Sequence, residues 1–219
     1  MTTFSHKELV NIPKTLSQPR FATYLQHCGN DKERALVLYK WNLEVSSAFL
    51  IPLHMLEVST RNAVVEAIEA VHTANWPWNN GFIRSLTNPQ VGYSPKRDLM
   101  AVAGREPTMG KVVAELKFVF WERMFTSRHD NRLWNQHIKA SFPFAPTNDT
   151  AQQIRASLYN DIFTIRELRN RIAHHEPIFS RNLQADYDNI LKIVGWRDDA
   201  TAAWMDGFQT VTELIRTKP

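Results

Sequence analysis

Apolar residues recur along almost the whole chain at three- and four-residue intervals, the period of helices with one buried face. Ser17 followed by Pro19 opens a helix that Gly29 closes. Asp31 opens a longer helical stretch to about His72. Pro52 must kink or split it, because its ring lacks the N–H that an interior turn needs. Residues 73–90, TANWPWNNGFIRSLTNPQ, are rich in Asn, Pro and Trp and read as an ordered loop with room for one short helix. Ser94–Pro95 starts a helix that ends near Gly104, and Thr108 caps one that runs through LKFVFWERMF. After a break over residues 126–131, a short amphipathic piece surrounds Leu133 and Trp134, and SFPFAPTND forms a second loop. Asp149 or Thr150 begins a long helix to about His175, limited by Pro177. Two more helices follow over residues 183–194 and 201–216, divided by Gly195. Strand alternation, repeats and low-complexity tracts are absent from the pattern. It predicts an all-α chain, a single helical bundle over residues 1–219 with long loops on one side and a C-terminal helical pair at 182–219.

The helix before Pro177 has two distinct faces. At about 100° per residue, Leu158, Ile162, Ile165, Leu168 and Ile172 form one stripe, the core face. Arg166, Asn170 and His174 follow at i, i+4 and i+8 on the opposite side, with Phe163 among them. An aromatic ring on a polar face implies that another helix or subunit covers that face as well. Arg169 lies at the edge of the core stripe, within reach of His174, since five residues rise only about 7.5 Å.

Composition narrows the class. Apolar content of 43% and charged content of 22% are those of an ordinary globular protein. The single cysteine, Cys28, excludes a disulfide framework and a multi-cysteine zinc site and reads as a small buried hydrophobe. The opening MTTFSHKELVNIPKT lacks a basic stretch leading into an apolar run, so no signal peptide is expected. No apolar run approaches the ~20 residues of a membrane span, and the expected location is a reducing cytoplasm. The net charge of +4 is uneven: residues 76–181 hold fifteen Lys/Arg against nine Asp/Glu, whereas 1–75 are neutral and 182–219 carry an acidic excess of two. The basic excess coincides with the Arg/His cluster and weakly favours an anionic partner.

The chemistry available to LRNRIAHHEPIF, residues 168–179, is limited. Imidazole exchanges a proton near neutral pH, and guanidinium forks onto phosphate oxygens. Without a carboxylate cage, the set suits metal-independent work on a phosphodiester. A histidine in a last helical turn is also favoured by the helix dipole alone. On a continuous helix His174 and His175 point about 100° apart, and HHE is not the HExxH zinc pattern, so no metal and no cofactor is expected. His175 either packs or bonds locally with Glu176. Elsewhere, Glu57 and Arg61 can pair at i, i+4, and with Asn62 they either line a cleft or form a structural ion pair. Trp76, Trp78, Phe82 and Tyr93, near Arg84, Lys96 and Arg97, either stack bases or anchor a loop, anchoring being the simpler reading.

RELRNRIAHHEPIF closely resembles the signature of the Abi-like (abortive infection) proteins, whose C-terminal part belongs to the HEPN superfamily of helical bundles carrying Arg–x4–6–His. HMLEVSTRNAV, residues 54–64, resembles the family's early LE-x-x-x-RN helix, and PTMGKVVAELKFVFW with the later RLW resembles its central region. The likeness covers about residues 30–180 in order, leaving additional N-terminal helices outside it. It implies a HEPN-type bundle that cleaves single-stranded RNA without metal, with Arg169, Asn170 and His174 as the catalytic set. The RNA 2′-OH would attack the adjacent phosphate. His174 would handle protons, Arg169 would hold the phosphate, and Asn170 would orient one of them or contact RNA. Arg166 would be a second phosphate contact or a solvent ion pair; His175, Glu57, Arg61 and Asn62 would lie around the site. The resemblance further implies a homodimer with the site at its interface, an antitoxin of protein or RNA, and a role in phage defence. A non-catalytic RNA-binding or protein-interaction module is the alternative.

Overall fold

The computed structural model describes residues 4–219. It is all-α: about 75% helical and without a strand among the described residues. An initial helix, α1 (His6–Thr15), carries a capping box in which Ser5 and Glu8 satisfy each other's backbone N–H groups. It was not anticipated as a separate element. α2 (Gln18–His27) and α3 (Lys32–Ala48) begin where Ser17 and Asp31 indicate, and the Asp31 carboxylate accepts from the Arg34 N–H. The long stretch splits at Phe49, just before Pro52, and α4 runs over Leu50–His72. Pro52 therefore sits in the first turn of α4, where its missing N–H has no intrahelical acceptor to lose.

The Trp-rich segment holds a 3₁₀ turn at Trp76–Trp78 and the short α5 (Asn80–Ser85). α6 (Pro95–Ala103) follows its Ser94 cap. The helix expected from Thr108 through LKFVFWERMF is two. α7 (Met109–Glu115) ends at Leu116, which with Lys117 is extended, and α8 (Phe118–Met124) restarts. That break lets Leu116, Phe118, Phe120, Trp121 and Met124 all reach the core, which one straight helix could not do. A 3₁₀ turn (Ser127–His129) and a π-helical turn (Asp130–Trp134) lead into α9 (Asn135–Ser141). α10 (Ala151–Ala173) starts from a Thr150–Gln153 capping box and ends two residues earlier than the pattern indicates. Gly195 does not divide the last helices. It lies within α11 (Leu183–Arg197), where a Cβ would stand 3.6 Å from that of Ala202. The break falls at Asp198, whose carboxylate caps α12 (Asp199–Phe208), and α13 (Val211–Arg216) follows.

The two longest helices, α4 and α10, are bridged by α11 on one side and by α8 and α9 on the other. The expected stripe of α10, extended by Ile154, is buried throughout. One continuous apolar cluster, centred on Trp76, Trp121, Trp134, Phe120, Phe125 and Tyr187, fills the space between these helices. Trp76 and Phe82 are almost fully enclosed and meet edge to face at 5.3 Å, so these two loop aromatics serve as anchors. α2 and α13 pack on α3. No helix among the described residues is long and apolar enough to cross a membrane.

Candidate functional site at the end of α10

The turn after α10 is held from several directions. α10 closes with Ala173, His174 is the C-cap, and His175 takes the left-handed conformation at φ 56°. The His175 N–H donates to Ile172 O at 3.0 Å and the Glu176 N–H to Arg171 O at 2.8 Å. That pair of bonds is a Schellman closure, whose left-handed position is ordinarily glycine because a Cβ there is strained. Here it is a histidine. Arg171, with a salt bridge to Glu176 at 3.7 Å, donates to the Pro177 carbonyl. Asn42 of α3, nearly fully buried, accepts from both the Ile178 N–H at 2.8 Å and the Phe179 N–H at 3.2 Å. Lys218 donates to Phe179 O, and Tyr24 and His27 pack their rings on that of Phe179. Arg20 reaches the His174 carbonyl at 3.5 Å.

Between this turn and the junction of α3 and α4 lies an open groove of about 600 Å³. Leu43, Leu50, Leu53 and Ile172 form its apolar wall, and His54, Glu57, Arg169 and His175 are its ionisable residues. His54 and Glu57 lie one turn apart on α4, so one face of that helix supplies both. His54, Arg169 and His175 are exposed, and their side chains make no hydrogen bond or ion pair with other described residues. Arg169 differs in this from its neighbours on α10: Arg155 pairs with Asp130, Arg166 with Glu122 and Arg171 with Glu176. A larger hollow of about 830 Å³ includes Arg123 and Arg128, but these guanidinium groups are engaged by the Tyr159 hydroxyl and the Ser85 carbonyl.

The candidates named from sequence separate into groups. Arg169, His175 and Glu57 share the groove. His174 is exposed at the helix end and is not part of the lining; Asn170, half-buried one turn earlier, is likewise outside it. Arg61 pairs with Glu57 at 3.7 Å, with its Nε buried and unpartnered, and Asn62 is exposed outside the groove. Arg166 is only 16% exposed and binds the fully buried Glu122, an arrangement closer to a structural strut than to either the phosphate contact or the solvent pair considered above. Phe163 is 42% exposed with the Arg166 guanidinium 5.3 Å from its ring centre, so the described residues leave much of it open to solvent. Because α10 ends at Ala173, the 100° separation of His174 and His175 on a continuous helix does not apply. Nevertheless no group of three or more His, Cys, Asp or Glu among the described residues converges as a metal site. Cys28 is buried, as expected, and burial pushes its thiol above the usual range.

One candidate for the site and one residue that holds its turn were missed. His54 falls within the HMLEVSTRNAV segment, but only the packing of α4 beside the α10 turn gives it company. Asn42 lies at a core position of α3, and its polarity was the one available signal. No protein-family model matches the chain, and no curated protein or solved structure matches it significantly.

Proposed function

We propose that the protein is a metal-independent ribonuclease that cuts single-stranded RNA at the end of α10. The observation that carries this reading is Arg169: an exposed guanidinium, without an acceptor among the described residues, in an open groove with exposed imidazoles. An arginine without a carboxylate partner is available to an anion, and its fork matches two phosphate oxygens. In the reaction the 2′-oxygen bonds to phosphorus and the bond to the 5′-oxygen breaks. The products are a 2′,3′-cyclic phosphate and a 5′-OH. Arg169 holds the charge that builds on the phosphate oxygens, and a histidine at the helix end moves protons. The Abi-like resemblance gives that part to His174, with Asn170 orienting the set.

The exposed Phe163 supports a second copy of the chain covering the α10 face, which would bring two motifs together. Phage defence in the cytoplasm and restraint by a protein or RNA antitoxin rest on the resemblance alone. Incubation of purified protein with mixed single-stranded RNA in EDTA tests the activity. Wild type cleaves, while Arg169→Ala loses ~10²-fold or more. RNA binding without cleavage by wild type would instead favour a non-catalytic RNA-binding module. Light scattering that finds a strict monomer at micromolar concentration would remove the shared interface.

A further inference from the structure

Cleavage by 2′-OH attack needs two proton transfers on opposite sides of phosphorus. A base takes the 2′-OH proton as the O2′–P bond forms. An acid gives a proton to the 5′-oxygen as the P–O5′ bond breaks. One imidazole is poorly placed to do both in a single in-line step. Within the ribonuclease reading, on which this inference rests, the groove offers two. We infer that His54 of α4 and His175 of the α10 turn, in place of the His174 that the resemblance points to, are the proton-transfer pair, one on each wall, with Arg169 holding the phosphate between them.

The placement of His175 is the stronger half of the argument. A Schellman closure asks for glycine, and this chain spends a strained histidine there. The left-handed backbone turns the His175 side chain into the groove lining, while the adjacent His174 stays outside it. The closing bonds of the turn are backbone to backbone, so glycine could make them equally. His54 makes the same case from α4. It is exposed, bonds to no other described residue, and borders the groove that holds Arg169. These two histidines and Glu57 line one open groove of about 600 Å³, room for a substrate group between them.

The experiment measures the pH dependence of cleavage of a mixed-sequence single-stranded RNA oligonucleotide in EDTA, by full-length wild type, His54→Gln, His175→Gly, His175→Asn and His174→Ala, with the Tm of each. Wild type should give a bell-shaped profile. His54→Gln should lose one limb and drop at least tenfold with unchanged Tm. His175→Gly should lose the other limb while its Tm holds or rises, which a structural histidine would not do. Either His54→Gln retaining the bell, or His174→Ala removing a limb that His175→Gly leaves intact, would overturn the pairing and leave the ribonuclease reading standing. A wild type that cleaves no RNA under any condition would sink both.

Discussion

Arg166→Ala is expected to destabilise the protein by about 3 kcal/mol without touching the groove. The Glu122 carboxylate is fully buried on α8, and Arg166 of α10, 16% exposed, is its closest cation. Two unit charges in contact attract by about 4–5 kcal/mol at an effective dielectric constant near 20. Removing one partner of such a pair costs about 3–5 kcal/mol, because the other charge is left buried. Two features move the estimate to the lower end. Arg166 retains some solvent, and Arg123 stands 3.8 Å from the second Glu122 oxygen, which otherwise has no hydrogen-bond partner. Urea unfolding with a shared slope measures the loss. The double variant Arg166→Met with Glu122→Leu should recover much of it, since apolar replacement of a buried pair is often neutral. A loss below ~1 kcal/mol, the range of surface pairs, would refute the strut. So would a wild-type unfolding midpoint combined with lost RNA affinity, which would make Arg166 a ligand contact.

Other expectations follow from the same geometry. Asn42→Ala leaves the Ile178 and Phe179 N–H groups unsatisfied in the core and should cost about 2–4 kcal/mol by urea unfolding; a change under ~0.5 kcal/mol would show that the turn is held without it. His175→Gly should gain about 1 kcal/mol by relieving the left-handed Cβ, and a clear loss would mean that the side chain supports the fold. Burial, reinforced by Arg128 and Arg132, lowers the His129 pKa from 6.5 to about 4. The unfolded chain therefore binds the proton more readily between those values. The His129 contribution is complete above pH 6.5 and is lost as pH falls toward 4, by about 3 kcal/mol at 1.36 kcal/mol per unit. His129→Gln should flatten stability between pH 6.5 and 4, and an unchanged slope would contradict the assignment.

What could be read from the sequence was what local chemistry decides. Ser94, Thr108 and Thr150 each cap the helix they announce, and the apolar stripe of α10 is buried along its length. The errors arise where tertiary packing overrides the local pattern. Leu116 and Lys117 break an otherwise continuous helical period so that aromatics on both sides can enter the core. Gly195 looks like a helix end but lies where α11 and α12 approach closely. At the site, Arg169 was legible as a motif residue. Its lack of an acceptor was not, because Arg155, Arg166 and Arg171 look equally cationic in sequence and are paired only by the fold. His54 opens the quoted HMLEVSTRNAV segment, but its place beside Arg169 was not legible, because the two are far apart along the chain.

The central claim is that Arg169 supports cleavage of RNA without metal. Its most direct test is analysis of the ends produced from a labelled single-stranded RNA in EDTA by wild type and Arg169→Ala. Arg169 has no partner among the described residues to lose, so the variant should fold with a stability within about 0.5 kcal/mol of wild type. Wild type should produce 2′,3′-cyclic phosphate and 5′-OH ends, and the folded variant should produce about 100-fold fewer. Equal cleavage by both proteins, or activity that requires an added divalent cation, would contradict it.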